Sequence, residues 1–444
     1  MKKYIMCMAA AAMVFAGCSD SEYDLEKIVP GEYHKIMFVK DAGKHNKSVL
    51  DIEGDDVQKF YVYKSGSDPS LTASVTVTTL TDEELKSEYS DPEAVNYKAL
   101  SADCYTIETP TLDFTSEDRY KEASVALHPQ KVKAEIATDN EATWVLPLKV
   151  TSENDSVNAN ANQYFVVIDG VVVPEIGINT TAPDLKTFAA GGATDFSQTI
   201  TVGINTDNLW DIEVNTGVDA EYVETYNADH NTAYSLMPEG SYEIPATVQL
   251  AKGSNEVELT VNVKASQLAA GDYMLPVAVT GVSQFVPSAT KAVMPILVRV
   301  QGNELDRSGW TAEASSEEKD GEGAGNGVAG CMLDGNEGTF WHSQWQNGNG
   351  QLPYTLIVDM KAQHEVAQIS LRNRNGYTDT GSGKFYVSDD KENWIQVGAF
   401  NMEKNGEYQM FGVKPTKARY FKIFIETSNR SPYCSISEAK FYGD

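Results

Sequence analysis

The pentad His364-Glu365-Val366-Ala367-Gln368 opens as a zinc-hydrolase helix does, with an imidazole ligand followed by a carboxylate base. Such a helix needs a second His four residues after the first, on the same face, and Gln368 stands there, so a metal would lack a ligand. The sequence contains no Gly-x-Ser-x-Gly elbow and no phosphate-binding loop. Its 64 Asp and Glu residues could include a glycosidase pair, but no spacing singles one out. Of five cysteines, Cys7 and Cys18 lie near the N-terminus. Cys104, Cys331 and Cys434 remain, an odd number without Cys-x-x-Cys spacing, which argues against a zinc site. Nothing here reads as an enzyme active site.

The N-terminus carries a different chemistry. Lys2 and Lys3 precede an apolar run over residues 4–15, too short to span a bilayer as a mature helix. Phe15-Ala16-Gly17-Cys18 follows and resembles a bacterial lipobox. The resemblance implies cleavage of a signal peptide, residues 1–17, and acylation of Cys18, each buried methylene adding ~0.8 kcal/mol of membrane affinity. The acidic tether, residues 18–32, begins Cys-Ser-Asp-Ser-Glu-Tyr-Asp. It resembles the surface-export signal of outer-membrane lipoproteins from glycan-degrading Gram-negative bacteria, which implies an outward-facing protein that touches the membrane only through its lipid. The formal net charge of −29 argues against nucleic acid and an anionic membrane face as partners. Otherwise it keeps an exposed protein soluble.

What positions these groups is a β-rich chain. At ~150 residues per domain, 444 residues suggest about three domains. Thr, Val, Ile and Tyr are frequent, and turn residues recur at short intervals, as in all-β folds. Two stretches repeat at an offset of 137 residues, with Tyr97 and Tyr105 matching Tyr234 and Tyr242. Each is followed by a related strand, Trp144-Val145-Leu146-Pro147-Leu148-Lys149-Val150-Thr151 and Tyr273-Met274-Leu275-Pro276-Val277-Ala278-Val279-Thr280. Two copies are too few for a solenoid, so residues 33–170 and 171–301 read as tandem β-sandwiches. The Tyr-x-Leu and Leu-Pro patterns resemble immunoglobulin-like domains of unknown function in outer-membrane lipoproteins of Sus-type (starch utilisation system) polysaccharide-utilisation loci. In that family they act as spacers or as parts of surface glycan-binding proteins. Residues 302–308 read as a linker.

From Trp310 the texture changes, becoming richer in Trp, Gly and Asn, within a C-terminal domain read as residues 303–444. Asp334-Gly335-Asn336-Glu337-Gly338-Thr339-Phe340-Trp341, Val387-Ser388-Asp389-Asp390-Lys391-Glu392-Asn393-Trp394, Arg419-Tyr420-Phe421-Lys422-Ile423 and Ser437-Glu438-Ala439 occur in that order. Together they resemble the coagulation factor 5/8 type C, or discoidin, domain, and in bacteria a family 32 carbohydrate-binding module. The resemblance implies a jelly-roll β-sandwich. The expected fold is therefore all-β, two tandem immunoglobulin-like β-sandwiches followed by a discoidin-type jelly roll.

The resemblance carries two sites with it. Asp334, Asn336, Thr339 and Glu438 match residues that hold calcium in related modules, and hard oxygen ligands suit that ion; without it, Asp334 would simply stabilise an Asp-Gly turn. If calcium joins Asp334 to Glu438, Cys331 and Cys434 are drawn together and could form a disulfide. The second site is for sugar. A pyranose has an apolar face and a hydroxyl rim, so its binder needs aromatic rings and planar or charged hydrogen-bonding groups. The loops at one end of the domain supply His342 and Trp345, then Arg372, Arg374, Asn375 and Tyr377, then Asn429, Arg430 and Tyr433. Trp345 lies in a run of Gln and Asn and reads as exposed; Trp341, Trp394 and Tyr420 read as core. His342 is either a ligand contact or a buried structural partner, and Arg374 and Arg430 are either ligand contacts or surface charges. The leading expectation is a non-catalytic surface lipoprotein that captures glycan for an outer-membrane transporter. The alternatives are an adhesive surface protein that binds host glycoconjugate or protein, and a hydrolase or its accessory.

Overall fold

The computed structural model describes residues 28–348 and 350–443. The signal segment, Cys18 and most of the acidic tether lie outside the described residues. No helix among those described is long and apolar enough to cross a membrane. The chain divides into two compact units, one ending at Pro174 and one beginning at Glu175.

The first unit is a sandwich of a five-stranded and a six-stranded sheet. Strand Asp56–Ser65 alternates in burial, so Phe60 and Val62 point inward while Lys59 and Tyr61 point out. Val62, Val125, Leu146, Leu148 and Val166 are fully buried between the sheets.

The second unit opens with a copy of the same architecture, strand for strand in the same sheet order. The register confirms the repeat read from sequence. Pro147 pairs with Phe165 in the first copy, and Pro276 pairs with Pro295 in the second. Lys98 pairs with Trp144, and Ser235 with Tyr273.

The rest of the second unit is a β-sandwich module built on two long antiparallel strands, Tyr354–Arg372 and Tyr408–Ile425. Phe421, Ile423 and Ile425 share one face and are fully buried, as their alternation requires. Trp341 is also fully buried. Trp394 and Tyr420 depart from the core reading. Both are half-buried outside the main cluster, Trp394 beneath the Lys422 ammonium at 4.1 Å and Tyr420 beside Arg419 at 5.0 Å. Tyr420 neighbours the inward Phe421 on one strand, so it must face the other way. His364 lies in strand Tyr354–Arg372, not on a helix, which removes the geometry a zinc pentad needs.

The segment read as a linker is structured. Asn303–Glu304 pairs with Glu438–Gly443, and Arg307 reaches the buried Glu438 carboxylate at 2.9 Å. Beside it, Arg299 of the second sandwich pairs with Asp272 and donates to the Met410 carbonyl of the module at 3.2 Å. The fully buried Gln368 donates to the Val300 carbonyl at 3.0 Å and accepts from the Gly302 amide at 3.1 Å.

The expected Cys331–Cys434 bridge is absent, and both thiols are free and buried. Cys331 sits in the 3-10 turn Ala329–Leu333 and donates to the Gly325 carbonyl, whereas Cys434 points toward the Thr427 carbonyl. Burial pushes the Cys434 thiol up to about 12.

Candidate functional site

The short pair Trp341–His342 with Ser435–Ile436 brings two loops of the module to one end of the sandwich. The loop after strand Tyr354–Arg372 joins them there. Between them lies a cavity of 330 Å³ lined by Glu322, His342, Trp345, Arg374, Tyr377, Arg430 and Tyr433.

Each polar group in it is held from behind. Asp379, almost fully buried, grips Arg430 with two hydrogen bonds of 2.8 Å, to Nε and Nη2. That bidentate geometry fixes the guanidinium plane, which lies 5.2 Å from the Tyr377 ring and 5.5 Å from the Tyr433 ring. Arg374 is clasped between rings, 3.8 Å from Phe340 and 4.6 Å from Tyr377, and donates to Glu322 at 3.1 Å. The same Glu322 oxygen accepts the Trp345 indole N–H at 2.9 Å. His342 is 2% exposed, and burial lowers its pKa from the usual value. Its Nδ1 donates to the Ser343 carbonyl at 2.6 Å, which leaves Nε2 as an acceptor 3.3 Å from Arg430 Nη2.

Trp345 owes its position to Glu318. One carboxylate oxygen accepts the Asp320 and Gly321 amides at 3.1 and 2.9 Å; the other accepts the Trp345 and Gln346 amides at 2.8 and 2.6 Å. Burial alone would raise this carboxyl, but the four backbone donors outweigh it and hold it at about 2. The indole rests on Gly321, where any Cβ would collide with the ring, so only glycine lets it lie there.

Of the residues the sequence offered for sugar contact, His342, Trp345, Arg374, Tyr377, Arg430 and Tyr433 meet in the cavity. The other three do not line it. Arg372 turns toward Glu337 at 3.5 Å and the Tyr408 ring. Asn429 spends its amide on the Thr378 and Thr380 carbonyls and so braces the loop. Asn375 is exposed on the same loop as Arg374. Sequence reasoning missed Glu318, Glu322 and Asp379. The four-residue spacing of Glu318 and Glu322 beside glycine was the one available signal.

Among the described residues no three His, Cys, Asp or Glu side chains converge as metal ligands. The Asp334 loop nevertheless has the donor chemistry of a hard-cation site. The Thr339 hydroxyl lies 2.9 and 2.7 Å from the two Asp334 oxygens and 2.8 Å from the Asn336 carbonyl, yet it has one proton to offer them. Glu438 approaches through the Gly335 amide at 2.8 Å; burial, helped by the nearby Asp334 charge, raises its pKa against the opposing pull of Arg307. The Asn336 side chain instead accepts the Gly338 amide, so its carbonyl is the group facing this cluster.

A family model for the F5/8 type C domain matches residues 311–439. The C-terminal module is an F5/8 type C domain. A second family model, for an N-terminal domain, matches twice, at residues 32–157 and 164–286. These two matches cover more than half of the chain, which belongs to the family that this repeated domain defines. Among solved structures, the C-terminal domain of a chitobiase from Bacteroides fragilis is 34% identical over 32% of this chain and 98% of its own, at a TM-score of 0.30. A family 32 carbohydrate-binding module from Clostridium perfringens, in complex with galactose, is 24% identical over 32% of this chain and 98% of its own, at a TM-score of 0.28. A two-domain protein of unknown function from Bacteroides fragilis is 12% identical over 61% of this chain and 94% of its own, at a TM-score of 0.25.

Proposed function

We propose that this chain is a cell-surface lipoprotein that binds glycan, without cleaving it, in the cavity of its F5/8 type C domain. One observation carries the reading: rings and hydrogen-bonding groups converge on that cavity with their directions fixed from behind. Trp345, Tyr377 and Tyr433 can meet the apolar face of a sugar ring, while Arg430, Arg374 and neutral His342 meet its hydroxyls. Glu322, in the cavity wall, and Asp379, buried behind it, are both paired with arginine, so they serve as fixed acceptors rather than as an acid and a nucleophile.

Trp345 is 41% exposed, so its loss should cost ligand and not fold. Trp345→Ala in the full chain should weaken the best glycan found on an array by up to about tenfold, with an unchanged melting temperature. Unchanged binding, or a variant that unfolds, would show the ring is misassigned. A chain that ignores every glycan but binds host protein would favour adhesion, and product release from a labelled oligosaccharide would favour hydrolysis.

Calcium belongs to the same reading. Asp334, Thr339, Glu438 and the Asn336 carbonyl would hold the ion, which when bound would cross-link the first loop to the last strand. Chelation should lower the melting temperature of the F5/8 domain. At a hundredfold excess over Kd the ion contributes ~2.7 kcal/mol, and an unchanged melt with and without chelator would remove calcium from the account.

The lipobox at Cys18 and the acidic residues after it support anchoring to the outer membrane, facing outward, where captured polysaccharide would pass to a transporter. Cys18→Ala should release soluble protein, and protease added to intact cells should digest the wild type. Resistance of the wild type on cells would place it on the inner side.

A further inference from the structure

A second cavity, of 750 Å³, lies in the second sandwich beside helix Tyr222–His230. Tyr222, Tyr226 and His230 recur every four residues, so they fall on one helix face, and all three line the cavity. The Tyr226 and His230 rings stack at 4.0 Å, and the Tyr222 ring centre is 6.0 Å from that of Tyr226. Thr181, Asp184 and Lys291 line it as well. Among the described residues, the Tyr222 and Tyr226 hydroxyls and the side chains of Asp184 and Lys291 make no hydrogen bond or ion pair.

The first repeat shows what closes this place. There Tyr89 stacks on Phe165 at 4.2 Å, with Tyr97 edge-on to both. The Lys44 ammonium covers them, 5.4 Å from Tyr89 and 4.8 Å from Tyr97. Lys44 arrives on strand Gly43–Leu50, which runs alongside Gln163–Val172 from Tyr164 onward. In the second repeat, Tyr226 meets Tyr234 edge-on at 6.0 Å, as Tyr89 meets Tyr97. Two fillers are missing. Pro295 stands opposite Pro276 where Phe165 stands opposite Pro147. The counterpart of the covering strand is only Lys186–Phe188 and first pairs at Val298, three residues beyond Pro295. One fold position is therefore plugged in one copy and, in the other, open and lined with aromatic rings.

We propose that this cavity is a second saccharide-binding site, for a neutral sugar. The rings offer apolar faces to the C–H face of a pyranose, and the free Tyr hydroxyls, Asp184 and Lys291 offer donors and acceptors to its rim. One acid and one base leave no excess charge to select an anionic ligand. The site does not depend on the F5/8 cavity and would let one chain hold a polysaccharide at two points.

The test uses the full chain carrying Trp345→Ala, Tyr433→Ala and Arg430→Ala, which together remove two rings and a guanidinium from the F5/8 cavity and so silence it. The probes are glucose, galactose, mannose, N-acetylglucosamine and their disaccharides, read by saturation-transfer NMR. At least one sugar should still receive saturation. That signal should vanish on adding Pro295→Phe, which restores the ring of the first repeat, and should fall roughly tenfold in affinity on adding Tyr222→Ala at the helix surface. No saturation in the silenced chain, or saturation that survives both added substitutions, overturns the second site. Binding by the unsilenced chain that Pro295→Phe alone abolishes would keep this site and discard the F5/8 cavity.

Discussion

Glu318→Ala should weaken glycan binding at the F5/8 cavity by about tenfold or more and destabilise the domain, although Glu318 does not line the cavity. Its carboxylate is 1% exposed and accepts four backbone amides, two from the turn carrying Glu322 and two from the segment carrying Trp345. Truncation leaves those amides without their acceptor, at about 1–3 kcal/mol for each that stays buried. It also frees the indole from the turn it rests on. Glu318→Gln should fall between wild type and Ala, because it keeps one acceptor oxygen and turns an NH₂ group toward two amides that also donate. The pH dependence has a definite sign. The folded pKa is depressed to about 2, so Glu318's contribution is complete above the unfolded value, roughly 4.3, and is lost as pH falls toward about 2. Melts of wild type and Glu318→Gln should converge across that window. A Glu318→Ala chain that melts and binds as wild type does would refute this role.

The second large effect is expected at the junction between the second sandwich and the F5/8 domain. Asp272→Ala should lower stability by about 3–5 kcal/mol, the range for removing one partner of a buried ion pair. Asp272 and Arg299 side chains are 4% and 13% exposed, and without the carboxylate the guanidinium keeps only the Met410 carbonyl. Gln368 also loses a contact, since its amide lies 3.4 Å from Asp272. Calorimetry should then resolve two transitions, one for the sandwich and one for the F5/8 domain, where the wild type should melt them together. Gly412→Ala should act in the same direction, because a Cβ there would strike the Asp272 carboxylate. By contrast, Asp272→Leu with Arg299→Met should recover most of the stability, since apolar side chains of similar volume often replace a buried pair without loss. A single transition at the wild-type temperature in Asp272→Ala would mean the pair does not couple the two.

Much of this architecture is written locally. Alternation along residues 419–425 placed Phe421, Ile423 and Ile425 inward without any tertiary knowledge, because successive side chains on a strand must face opposite ways. The same rule, applied to Tyr420, would have kept it out of the core, where residue type alone had put it. The 137-residue offset marked two copies of one sandwich, and the paired prolines Pro147 and Pro276 carry that offset into strand register. Ring and guanidinium types in three loops marked the cavity wall.

Tertiary structure decided the rest. The function of Glu318 and of Asp379 depends on which distant groups face them. For Asp379 that group is Arg430, 51 residues away, and for Glu318 it includes amides 27 and 28 residues away, and no local pattern encodes such pairing. The same holds for the segment after Gln301, whose polar composition reads as a linker and whose backbone is instead taken up as a strand by the last residues of the chain. A residue's type and spacing fix its periodicity and its hydrogen-bonding capacity. Which partner uses that capacity is settled only when segments far apart in sequence are brought within about 3 Å of each other.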